Sequence, residues 1–199
     1  MLQLITLMKF LFVQDYHHKY RYFCLEQSSQ IQVKFSRWQK IWDKARKKLM
    51  LLPAKEIHQE QALARALKLE EENVQIMVSG LLSPKKLKSK FYFFLQKQRT
   101  KHIFFLIGET LLLPLSGLAA ILPGPNVFFG VLALLMITHW QALRGTNRLL
   151  KKTPQFIPTS LLKEWEEALK LEKEEHLISI LDKISSAYGL PHIRKLLWK

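Results

Sequence analysis

The sequence predicts a mainly α-helical membrane protein: a two-span helical hairpin with a small N-terminal β-hairpin and flanking soluble helices. Three observations carry that expectation. From His102 to Leu143 the chain holds no Lys or Arg and a single acid, Glu109. The sequence Leu-Pro-Gly-Pro-Asn at 122–126 splits this run into two arms. At about 1.5 Å rise per residue, each arm crosses or nearly crosses a hydrocarbon core of roughly 30 Å. Both outer ends of the run are basic, which by the positive-inside rule sets them on one face and the turn on the other.

The elements follow in chain order. Phe10–Gln14 and Tyr20–Leu25 are short β-branched or aromatic runs around the polar Asp15–Lys19, a small β-hairpin. Upstream, MLQLITLMKFLFVQ is interrupted by Lys9 and has no small-residue cleavage site, so no cleaved signal is expected, and Met8 is an alternative start. Ser28 or Ser29 can cap a helix to about Leu51, with Ile31, Phe35, Trp38, Trp42, Ala45 and Leu49 on one seam and a basic remainder. A second helix, about Ala54–Val78, carries the acids Glu56, Glu60, Glu70, Glu71 and Glu72, which suits antiparallel pairing with the first. Ser83-Pro84 opens a third, basic helix in the N-cap and N1 positions, and it runs straight into the first apolar arm.

Arg144, Arg148, Lys151 and Lys152 follow the second arm. Beyond Pro154 and Pro158, Ser160–Lys173 reads as an acidic helix and Glu174–Tyr188 as another with Leu177, Leu181, Ile184 and Tyr188 on one face. Gly189 suits a helix C′ position, and Pro191 can start a last basic helix. The expected division is 1–82, a β-hairpin plus helical hairpin; 83–101, a basic juxtamembrane helix; 102–143, the apolar hairpin; and 144–199, a C-terminal helical segment.

The net charge of +15 predicts a polyanionic neighbour. Lys85, Lys86, Lys88, Lys90, Arg144 and Arg148 are expected at anionic lipid, with aromatic side chains at headgroup depth. Nucleic acid has the same footprint of bases and aromatics, but the apolar hairpin favours lipid. The lone Cys24 excludes an intrachain disulfide and a cysteine-based zinc cage. Metalloprotease, hydrolase and phosphate-loop motifs are missing, so the sequence assigns no catalytic residue, metal site or cofactor and predicts no enzyme.

Leu113–Phe129, which includes the Pro-Gly-Pro-Asn turn, and the downstream Thr138-His-Trp-Gln-Ala-Leu-Arg-Gly145 carry a resemblance. Together they resemble the mitochondrial K+–H+ exchange-related family and its bacterial relatives. The resemblance implies a link to K+/H+ exchange and monovalent-cation homeostasis, as an accessory or oligomeric part of a larger activity. It marks Pro123, Gly124, Pro125 and Asn126 as the motif turn, and His139, Trp140 and Arg144 as the motif after the second span. Without an organelle import signal, it implies a multi-pass protein of the bacterial inner membrane, before the mitochondrial one, with both termini cytoplasmic.

Glu109 and His139 both fall toward the basic end of the hairpin, close enough to meet and pass protons. The plainer reading has Glu109 neutralised by a neighbouring helix or His102, and His139 at the interface beside the anchor Trp140. For the turn, the plain reading is an interhelical connection; the other is an anion site at the second arm's N-terminus. Expected partners are anionic lipid, a second copy or larger complex, and K+ and H+ as transported ions. The alternative function is a membrane anchor presenting basic helices to a protein complex, a ribosome or lipid.

Overall fold

The computed structural model describes residues 9–25, 54–68, 73–118, 127–171, 174–190 and 193–198. Strand β1 (Lys9–Gln14) pairs antiparallel with β2 (Tyr20–Leu25), in the places the sequence predicts. Asp15 makes the turn between them: its buried Oδ1 accepts the backbone N–H groups of His17 and Lys19. The expected helix over residues 28–51 and the turn at 122–126 lie outside the described residues.

Helix α1 (Ala54–Arg65) begins where the sequence places it, but stops far short of Val78. A 3-10 turn (Ala66–Lys68) follows, and Asn73–Val78 is strand β3. Val74, Ile76 and Val78 alternate into the core with a period of two, which a helix cannot do. After β3, Gly80 turns the chain at φ 73°, and helix α2 (Pro84–Leu118) takes its first bond from the Leu87 N–H to the Ser83 carbonyl. Helix α3 (Val127–Leu150) returns along α2 and leads into β4 (Thr153–Pro158), also unforeseen. Helices α4 (Ser160–Leu171), α5 (Glu174–Tyr188) and α6 (Ile193–Leu197) complete the chain, with Gly189 at φ 64° after α5.

The sheet order is β2-β1-β3-β4, with β1–β3 and β3–β4 parallel. Both faces are covered, so β1 is apolar at every interior position rather than alternating. Phe10, Phe12, Tyr22 and Ile76 meet Leu63 of α1, Phe91 and Leu95 of α2, and Leu149 of α3. Leu11, Val13 and Phe23 meet Trp165, Leu181 and Leu197 on the other side. The result is a three-layer arrangement of helices, mixed sheet and helices.

This corrects the expected fold class. None of the described helices is long and apolar enough to cross a membrane. The two-span, multi-pass topology drawn from the basic flanks falls with it. The apolar run combined two surfaces that the fold separates. Leu132, Leu134, Ala142 and Leu143 are buried within the protein, whereas Phe104, Ile107 and Leu111 stay outside. Charge-free length in a sequence cannot tell protein-facing from solvent-facing positions.

On the second face, Glu166 of α4 accepts the Ser79 hydroxyl at 2.5 Å and the Gln14 backbone N–H at 3.2 Å. Burial raises its pKa, against the pull of the Ser79 and Gln14 hydrogen bonds and, less, of Lys170 and Lys90. The folded chain then holds a proton that the unfolded chain releases, so stability falls as pH rises from the ordinary carboxylate value through the raised one. Glu166→Gln is expected to flatten that slope. Urea midpoints measured across this pH range for both chains check it; parallel slopes would refute the assignment.

Candidate functional site

The residues that gather most chemistry come from three helices on one side of the sheet. Helix α1 supplies Gln59 and Glu60, α2 supplies Gln98, His102 and Glu109, and α3 supplies Thr138 and His139, all buried. On α2, positions 98, 102 and 109 share one face at helical spacing, which turns them together toward the neighbouring helices. Helix α3 can come close to α1 because Gly145 has no side chain where the two backbones meet. Thr138 and Thr146 bond back to carbonyls of their own helix, so their hydroxyls make no demand on the junction.

At the centre, His139 Nδ1 and Glu109 Oε1 share a hydrogen bond at 2.7 Å, the donor set by the tautomer of the ring. Its other nitrogen, Nε2, faces Glu60 Oε1 at 3.7 Å. The His102 ring lies 5.6 Å from that of His139, and Phe105 stacks on His139 at 4.9 Å. Neither ring nitrogen of His102 has a hydrogen-bond partner among the described residues, and the residue is fully buried. Glu109 Oε2 is likewise unpartnered there.

Burial, with a smaller contribution from the Glu60 charge, lifts the Glu109 pKa to about 7. Burial first, then the neighbouring His139 and Lys101, lowers that of His102 to about 3, so its imidazole is neutral. A line of charges leads away from the cluster. Lys101 Nζ lies 3.9 Å from Glu60 and 3.0 Å from Glu56; Glu56 also meets Arg21, which pairs with Asp15 at the β-turn. These bonds to Arg21 and Lys101 hold the Glu56 pKa below its usual value against the desolvation that would raise it. Such a junction can hold a proton, or a cation with nitrogen and oxygen ligands.

The structure brings the sequence candidates Glu109 and His139 together. Trp140, beside His139, faces outward, and Arg144 is exposed. Arg148 is half-buried, and its guanidinium donates to the carbonyl of Leu67, the middle residue of the 3-10 turn. Lys85, Lys86, Lys88 and Lys90 are exposed on the first turns of α2, with Lys90 over the Tyr20 ring at 5.4 Å. Pro123, Gly124, Pro125 and Asn126 lie outside the described residues. Glu60 was missed as a site residue, and His102 entered only as a neutralising neighbour. The seven-residue spacing from His102 to Glu109 is the signal that places them on one helix face.

Compared with known proteins, the chain matches the family model described as mitochondrial K+-H+ exchange-related over residues 31–152. No curated protein and no solved structure matches it. The matched segment contains α1, β3, α2 and α3, and with them the whole Glu60–His102–Glu109–His139 junction. The chain belongs to this family.

Proposed function

We propose that this member of the mitochondrial K+–H+ exchange-related family is a non-enzymatic accessory in monovalent-cation and proton homeostasis, docked on an anionic membrane surface. One observation carries the reading. Helix α2 exposes Phe93, Phe104, Ile107 and Leu111 at spacings that share one face, with Phe104 at 73% and Leu111 at 71% exposure. Helix α3 adds exposed Phe129, Ile137 and Trp140. Soluble proteins rarely leave large aromatic and aliphatic side chains exposed in contiguous stripes.

The chemistry around the α2 stripe favours lipid. Lys85, Lys86, Lys88, Lys97 and Arg99 are exposed on the same helix, which has no acid in its first turn. Bases near an anionic bilayer each contribute about 1 kcal/mol, and aromatic side chains settle at headgroup depth. Such a contact needs no helix that crosses. The titratable junction lies inside the protein, at 7% exposure or less, which supports an accessory part over the ion path itself.

Vesicle flotation tests the docking. The chain is expected to float with vesicles of phosphatidylcholine and phosphatidylglycerol, and to remain behind with phosphatidylcholine alone. Changing Lys85, Lys86, Lys88 and Lys90 together to Glu should weaken binding at least about 100-fold, given roughly 1 kcal/mol for each base removed. Phe104→Ser with Leu111→Ser should weaken it independently. Equal recovery of all variants, or none with either lipid, overturns the proposal. The cellular arm measures potassium-driven proton flux in membranes from cells with and without the chain; unchanged flux sinks the homeostatic role.

A further inference from the structure

The three-helix junction also has the ligand set of a transition-metal site. Glu60, His102 and His139 each direct one ligand atom into a common space, with those atoms all within 4.8 Å of one another and all three residues buried. We propose that Glu60, His102 and His139 bind one divalent first-row transition metal ion, zinc foremost, with Glu109 orienting His139 from outside the coordination shell.

Several independent features support this reading. Two imidazoles and one carboxylate are the donor set that zinc accepts in sites keeping a fourth position for water. A tetrahedral shell with bonds of about 2.0–2.1 Å sets ligand atoms about 3.3 Å apart. Glu60 Oε1 and His139 Nε2, at 3.7 Å, are already near that separation. His102, whose ligand atom lies within 4.8 Å of the other two, has to move inward to complete the shell, and its ring nitrogens have no hydrogen-bond partner to release among the described residues. A fully buried imidazole without such a partner is costly unless something else occupies it.

The surroundings of His139 add a second argument. A metal-binding histidine almost always donates its other ring N–H to a carboxylate, carbonyl or water, which fixes the tautomer and the ring direction. Glu109 Oε1 lies 2.7 Å from His139 Nδ1, placed to accept its N–H when Nε2, 3.7 Å from Glu60, is the ligand atom. Phe105 stacked at 4.9 Å holds the ring in place. Glu109, His139 and the Glu60 oxygen stand in the order that a carboxylate–histidine–zinc arrangement requires. The ligand set found among the described residues is nitrogen and oxygen, which favours zinc or cobalt over copper(I).

The test uses the full-length chain, stripped with a chelator and titrated with Zn2+ against a chromophoric competitor, then with Co2+ to read its visible spectrum. One equivalent of Zn2+ is expected to bind, and Co2+ should give the intense absorption of a four-coordinate site with nitrogen and oxygen donors. His102→Phe, which fills the space without a donor, should weaken Zn2+ binding at least about 100-fold while circular dichroism stays native; Glu109→Gln should weaken it about 10- to 100-fold. The double variant His17→Ala, His18→Ala removes exposed histidines of the β-turn and should bind as the parent does. Binding that survives His102→Phe, or disappears with the His17 and His18 pair, overturns the proposal, as does failure of the parent chain to bind. If His102→Phe does not fold, the milder Glu109→Gln decides, since unchanged affinity there refutes the arrangement.

Discussion

Gly145→Ala is expected to destabilise the protein by about 3 kcal/mol, the upper end of what overpacking costs in a close-packed interior. A β-carbon at this position would overlap the Leu63 carbonyl oxygen and stand 2.7 Å from its carbon. Both are backbone atoms of α1, so no side chain can turn aside; the helices themselves must separate. Leu63 is one turn beyond Glu60, and Gly145 follows His139 on α3, so the separation acts directly on the Glu60–His139 pair. The variant should therefore lose zinc affinity as well as stability. Gly108→Ala and Gly130→Ala are the controls, because nothing lies within 4 Å of a β-carbon built at either. Each should be neutral or stabilising by up to about 1 kcal/mol through helix propensity. Urea midpoints with unchanged slope measure all three. A Gly145→Ala midpoint equal to the controls would refute the close approach.

Trp165→Ala should cost about 4 kcal/mol, within the usual range for deleting a buried aromatic. Trp165 is fully buried at the centre of the second core, among Leu11 and Val13 of the sheet and Leu162, Leu181 and Leu197 of the last helices. Its indole N–H also donates to the Gln14 carbonyl at 2.8 Å, tying α4 to the end of β1. Trp165→Phe keeps most of the apolar volume and removes that bond, so its loss should be about 1–2 kcal/mol, mostly the unpaired carbonyl and a small void. The separation between the two variants measures packing against hydrogen bonding. Equal losses would mean that the bond, not the packing, holds this helix layer on the sheet.

Much of this architecture is visible in the sequence where local signals are strong. The aromatic runs of β1 and β2, the Ser83-Pro84 start of α2 and Gly189 after α5 each depend on chemistry within a few residues. Strand β3 is hidden because six residues follow a helix and an acidic run, and only Val74, Ile76 and Val78 betray the period of two. Strand β4 carries Pro154 and Pro158, which argue against a strand unless it lies at a sheet edge, where the structure places it. The apolar hairpin misled for a different reason: its residues face both a protein core and the outside. At the junction, Glu109 and His139 could be paired from the antiparallel geometry of two neighbouring segments. Glu60 could not, since its approach depends on α1 packing against α3 across Gly145.

Strands β3 and β4 are hydrogen-bonded neighbours, yet the entire α2–α3 hairpin lies between them in the chain. Closing that parallel pair early would sacrifice the freedom of a long loop for a few contacts, whereas α2 against α3 assembles from local ones. The expected order of assembly is therefore hairpin first and sheet second, with β4 arriving as a zipper once its two helices have brought the ends together. A ribosome halted before Thr153 would hold a chain whose β3 edge has no protective neighbour, a template for pairing with another nascent chain. Aggregation during synthesis should thus be governed by how quickly β4 emerges after the hairpin.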